Sequence, residues 1–140
     1  MRIIASILCV LILIACSKRP SYPEAPLSGE TIAIDIKVLK GESPVFYSFP
    51  HKDKKINFFV VKIGNEIQSY FDACAKCYTD RLGYVVDGKF VVCKKCNVRY
   101  HLDSLKTGIG SCYPIILKGK IVGNKYIIDK KNVIEGEKFF

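Results

Sequence analysis

The chain has 140 residues and carries 22 Lys+Arg against 13 Asp+Glu, a formal net charge of +9. That length allows about one domain, and a hydrophobic content of 49% is enough for a small core. The lysines are scattered (Lys52, Lys54, Lys55, Lys94, Lys95, Lys118, Lys120, Lys130, Lys131) and no helix-turn-helix or RNA-binding signature accompanies them, so the charge reads as solvated faces and not as a nucleic-acid surface.

Met1 and Arg2 precede an apolar run over residues 3–15, interrupted only by Ser6, which is short for a membrane span and has the build of a signal peptide. The run ends in Leu13-Ile14-Ala15-Cys16, which resembles the lipobox of bacterial lipoproteins. That resemblance implies that residues 1–15 are removed and that Cys16 is lipidated as the first mature residue. The protein would then be held to a membrane of the bacterial cell envelope by its lipid, facing outside the cytoplasm. An uncleaved anchor helix would export the remainder equally. Cleavage removes one of the 22 basic residues, Arg2, and leaves 21 minus 13, or +8. Such an excess next to a membrane favours anionic headgroups or an acidic partner.

Residues 16–30 contain Pro20, Pro23 and Pro26 among small and polar residues, the composition of an extended spacer, and the domain is expected over residues 31–140. Ile32, Ile34, Ile36 and Val38 alternate with Ala33, Asp35 and Lys37, the period of a strand with one buried face. After a turn at Gly41 to Pro44, residues 45–49 predict a second strand. Residues 51–54 predict a polar turn, and residues 56–63 a third strand buried on both faces. Gly64-Asn65 closes a hairpin into a fourth strand, residues 67–71, which runs to Cys74. Residues 84–86 and 89–92 flank Asp87-Gly88, a favoured hairpin turn, and the returning strand ends at Cys93. Residues 97–105 carry no clear period. Short strands follow at 115–117, 120–122 and 125–128, and Asp129 is placed to cap a last short helix through Phe140. The expected fold is a small, mainly β domain of hairpins.

Seven cysteines are present, of which Cys9 leaves with the signal and Cys16 takes lipid. The other five form two CxxC pairs, Cys74/Cys77 and Cys93/Cys96, followed by Cys112. A CxxC turn lets two sulfurs face one ion, and the hairpin returns the second pair to the first. The spacing points to zinc, iron or an iron-sulfur centre, and soft thiolates also accept Cu(I). Two disulfides with one thiol left over are the competing expectation for an exported chain. They are disfavoured because a bridge within a CxxC pair constrains almost nothing. Cys112, behind Gly108-Ile109-Gly110-Ser111, has three open readings: a ligand replacing one of the four, a redox partner, or a buried small hydrophobe. Lys94, Lys95 and Arg99 sit where their charge would favour thiolates, or are simply solvated.

Several segments together resemble the FtrD-like membrane iron-sulfur proteins. They are Phe58-Phe59-Val60-Val61-Lys62, Phe71-Asp72-Ala73-Cys74-Ala75-Lys76-Cys77, Gly83-Tyr84, Val92-Cys93-Lys94-Lys95-Cys96 and Gly110-Ser111-Cys112-Tyr113-Pro114. All five cysteines find counterparts, over a stretch from about residue 45 to the C-terminus. Ser111 and Tyr113 depart from the glycine and asparagine favoured there. The resemblance implies a membrane-associated iron-sulfur or iron-handling protein, with Cys112 as a less certain member of the metal-binding set.

His51 lies far from the cysteines in sequence and reads as a surface residue, and His101 follows Cys96 by five residues but meets an already filled coordination set. Asp72 is expected to brace the first pair through backbone N–H groups. Tyr70, Tyr78, Tyr84 and Tyr100 read as packing groups without a chemical role. No Ser-His-Asp set, phosphate-binding glycine loop or HExxH motif is present, so an enzyme is less expected than a binding or electron-transfer module. The leading expectation is a lipid-anchored protein holding an iron-sulfur cluster or mononuclear iron, acting in electron transfer or iron handling with an envelope redox or iron-uptake protein. The alternatives are a structural zinc-binding interaction module and a thiol-disulfide redox protein.

Overall fold

The computed structural model describes residues 21–140. The expected signal peptide and the expected lipidation at Cys16 lie outside the described residues. Eleven strands occur among the described residues, and the protein is mainly β.

The four-stranded sheet at the centre has the order β3 (Val45–His51), β4 (Lys54–Ile63), β5 (Glu66–Cys74), β9 (Pro114–Ile116), all antiparallel. Strand β4 explains why this sheet is central. Ile56, Phe58, Phe59, Val60 and Val61 are all fully buried. Because successive side chains point to opposite faces, Phe58 and Val60 enter one core while Phe59 and Val61 enter another.

On the Phe58 face lies a second sheet with the order β1 (Leu27–Ser28), β2 (Thr31–Asp35), β11 (Lys125–Asp129), β10 (Lys120–Val122). Its Ile32, Ile34, Tyr126 and Ile128 pack with Phe58, Val60, Phe71 and Ala73. On the Phe59 face lies a three-stranded sheet, β6 (Tyr84–Asp87), β7 (Phe90–Cys93) and β8 (Arg99–His101). Tyr84, Val91, Cys93 and Tyr100 from this sheet pack with Phe59, Val61, Tyr70 and Cys74.

Four segments depart from the sequence expectation. The first strand ends at Asp35 and not at Val38, because Asp35 Oδ1 accepts the Lys37 N–H at 2.9 Å and turns the chain into a 3-10 segment, Ile36–Val38. The proline-bearing segment joins the domain ahead of residue 31. Ala25 is buried and donates its N–H to the Ser48 carbonyl at 2.9 Å, and Ser48 donates to the Pro23 carbonyl at 2.9 Å. The unassigned 97–105 stretch forms β8 and a 3-10 turn, Leu102–Ser104, with Tyr100, Leu102 and Leu105 buried. The C-terminal helix covers only Lys130–Ile134, without a side-chain cap from Asp129, and a separate 3-10 turn covers Glu137–Phe139. Gly136 divides them, and a Cβ there would lie 2.2 Å from the Phe71 ring.

Candidate metal centre

Strand β5 ends at Cys74 and strand β7 ends at Cys93, so each CxxC pair begins where a sheet stops. The chain then folds back on itself in the same way twice. Cys77 donates its N–H to the Cys74 carbonyl at 3.0 Å, and Asn97 donates to the Cys93 carbonyl at 2.9 Å. Asn97 adopts φ +57°, a left-handed conformation that asparagine tolerates better than most residues. These turns aim backbone N–H groups at sulfur: Lys76 and Cys77 at Cys74, Lys95 and Cys96 at Cys93, Val98 at Cys96.

The four sulfurs of Cys74, Cys77, Cys93 and Cys96 all lie within 4.8 Å of one another. Tetrahedral metal–sulfur bonds of about 2.3 Å separate thiolates by roughly 3.8 Å, so this set suits a tetrathiolate metal site. Cys74 and Cys93 are buried, whereas Cys77 and Cys96 are partly exposed. The site therefore has a protected inner edge and an outer edge within reach of solvent.

Ionisation cuts across that division, with one thiol of each edge lowered and one raised. At Cys74, burial opposes the thiolate, but the N–H groups of Lys76 and Cys77 and the Tyr84 hydroxyl outweigh it and hold the thiol below its usual value. Cys96 is likewise lowered, with burial overcome by the Val98 N–H and its sulfur neighbours. Burial and the proximity of other sulfurs push Cys77 up, and burial pushes Cys93 up. Four thiolates this close repel one another, and a bound cation removes that repulsion. Lys94, Lys95 and Arg99 are exposed, in keeping with the solvated reading of the two given for them. Lys95 pairs with Asp80 at 3.0 Å, and Arg99 with Asp87 at 2.7 Å, so backbone amides supply most of the local donors to sulfur.

Cys112 is buried and its sulfur touches that of Cys96, but it is not one of the four mutually close sulfurs. It is carried there by a tight loop in which Ile109 and Cys112 exchange backbone hydrogen bonds of 2.8 and 3.0 Å. Gly108, at φ +64°, has no room for a Cβ, which would lie 2.4 Å from Tyr113 Cβ. The histidines are elsewhere: His51 approaches Glu137 at 3.8 Å, and His101 meets Asp103 at 3.2 Å.

Asp72 braces the centre at one remove. Its Oδ1 accepts the Tyr84 N–H at 2.7 Å and its Oδ2 accepts the Tyr22 hydroxyl at 3.2 Å. It thus ties the hairpin to β5 and not the first CxxC turn to itself. Burial raises its carboxyl to about 6, against the pull of those two donors and of Lys94. A cavity of about 250 Å³ opens alongside, with Cys74, Cys77 and Cys93 on its wall together with Asp72, Arg81 and Lys95. Tyr84 and Tyr100 are buried in the same cluster as Cys74, a relation that sequence reasoning missed because nothing separates them from other core tyrosines.

The model of a protein family described as membrane iron-sulfur containing protein FtrD-like matches residues 39–140. The chain belongs to the FtrD-like family. The match takes in both CxxC pairs, Cys112 and the whole central sheet, and leaves β1 and β2 outside. No curated protein and no solved structure matches the chain. The FtrD-like family is membrane-associated, and among the described residues no helix is long and apolar enough to cross a membrane. Family membership and the cysteine cluster both support metal binding.

Proposed function

We propose that this protein is a lipid-anchored iron-thiolate protein of the bacterial envelope, serving electron transfer or iron handling. The observation that carries this reading is the quartet of sulfurs within 4.8 Å of one another, two of them partly exposed. Cys74, Cys77, Cys93 and Cys96 would hold the metal, and a bound iron would supply a one-electron couple. The close spacing favours a single ion shared by four thiolates, because a cluster places inorganic sulfide and further irons between its ligands. The inner pair is buried against the core. The outer pair, Cys77 and Cys96, faces a partner, for which an envelope redox or iron-uptake protein is the fitting class. Lipidation at Cys16 would keep the site at the membrane, and no nucleic acid is involved.

A structural zinc site is the second reading, favoured by one feature. The quartet joins β5 of the central sheet to β7 of the three-stranded sheet, so a metal there also fastens two layers. Metal and sulfide analysis of protein purified anaerobically, together with its visible spectrum, separates the two. Coloured protein with iron supports the leading reading, and sulfide alongside it identifies a cluster. Colourless protein with stoichiometric zinc replaces it with the structural reading. Metal-free protein with two disulfides ends both.

A further inference from the structure

Two buried tyrosine hydroxyls and one half-buried one end on oxygen. Tyr70 donates to Gln68 at 2.6 Å, Tyr126 lies 2.9 Å from the Ser69 hydroxyl, and Tyr22 donates to Asp72. Tyr84 and Tyr100 are the exceptions. They are 1% and 0% exposed, and neither hydroxyl has a hydrogen-bond partner among the described residues. Their rings meet edge to face at 6.1 Å and 79°, and Phe59 packs against Tyr84 in the same manner at 6.0 Å and 76°. Packing therefore leaves the two rings little freedom to seek another acceptor. Both rings sit in the same buried cluster as Cys74, close enough for the charge of its sulfur to act on both hydroxyls.

A neutral thiol is a weak acceptor, and a poor reason to bury two hydroxyls. A thiolate is a strong one, because the hydrogen bond is charge-assisted. The layout makes sense only when Cys74 carries negative charge, as a metal ligand does. We infer that Tyr84 and Tyr100 are positioning residues of the metal centre, donating their hydroxyls to the Cys74 thiolate and raising the reduction potential of the metal it holds. This rests on the reading of the quartet as a metal site. The backbone N–H groups of Lys76 and Cys77 favour the charged form of the same sulfur. Donors to a ligating thiolate draw off negative charge and stabilise the reduced centre, which carries one more electron.

The test uses the full chain loaded anaerobically with iron, comparing wild type with Tyr84→Phe, Tyr100→Phe and their combination, and with Tyr126→Phe as a tyrosine on the opposite core. Expected is a lower midpoint potential in each single variant, a further fall in the double variant, and no change in Tyr126→Phe. Cobalt(II)-loaded samples give a second readout, since sulfur-to-cobalt charge-transfer bands move to lower energy when a thiolate loses donors. Variants that bind iron with wild-type potential and unshifted cobalt bands overturn the inference and leave the metal site standing. A wild-type chain that takes up neither metal through its thiolates overturns both.

Discussion

The carboxylate of Asp72 accepts the backbone N–H of Tyr84 at 2.7 Å, and that single contact ties the strand ending in the first cysteine pair to the hairpin carrying the second. Asp72 is 4% exposed, so removing its side chain strands a buried donor. Asp72→Ala is expected to lose about 1–3 kcal/mol of stability. Asp72→Asn, which keeps an oxygen for the Tyr84 N–H, should lose less. Urea denaturation of the two variants side by side measures the difference.

Gly83 lies against the same carboxylate. It adopts φ +67°, and a Cβ there would fall 2.4 Å from Asp72 Oδ2. Gly83→Ala should cost about 2 kcal/mol or more, combining backbone strain with displacement of the brace. Gly110 has a similar φ of +58° but open space around it, so Gly110→Ala should cost only the backbone part, about 1–2 kcal/mol. Thermal melts that rank the two variants equally would argue against the steric role of Asp72.

Loss of any one quartet sulfur should weaken metal binding on the order of tenfold or more, a fall at least as large as those seen for groups that merely support ligands. Cys93→Ser is the clearest case, since Cys93 is 2% exposed and one of the two buried members of the quartet. Cys112→Ser should retain full metal stoichiometry, because the Cys112 sulfur is outside the mutually close set. Metal content per chain after dialysis is the measurement. Chelation of the wild-type metal should lower the melting temperature as well.

Phe58 and Phe59 are adjacent, both fully buried, and on opposite faces of β4. Each substituted by Ala should cost about 3–5 kcal/mol. Only Phe59→Ala should change the spectrum of the metal-loaded protein, since Phe59 is the ring that packs on Tyr84. Equal spectral change in both would mean that the two cores are not separate environments for the site.

Glu66 accepts hydrogen bonds from Lys106 and Gln68, and the Lys106 contact is the main reason its carboxyl is held below the usual value. A lowered folded-state value stabilises the fold above the ordinary carboxylate range and loses that contribution as pH falls through it. The stability difference between wild type and Glu66→Gln should therefore be present at neutral pH and close towards pH 3. The contact is exposed, so high salt should shrink it too.

The strands around the site were legible because their signals are local. Residues 56–63 are apolar on both parities, which only a strand with two covered faces requires, and β4 is that strand. The hairpin between β6 and β7 was legible for an equally local reason, the positive φ of Gly88 at +58°, although its turn is Gly88-Lys89, one residue past the expected Asp87-Gly88, because Asp87 pairs with Phe90. The 97–105 stretch was opaque because Tyr100, Leu102 and Leu105 are buried by a distant strand and show no period of their own. The helix expected through Phe140 stops early for a similar reason, since Phe71 occupies the space beside Gly136.

The amino-acid sequence by itself determined the five candidate thiols, their spacing and the family. Two CxxC pairs at strand ends are a property of spacing, and spacing is read along the chain. Which four of five cysteines come together, which two of them are partly exposed, and which tyrosines are buried beside them were decided only by tertiary structure. The reason is distance. Tyr84 and Cys74 are ten residues apart and Tyr100 is twenty-six from Cys74, and no local propensity records a contact made by packing a three-stranded sheet onto the far face of β4.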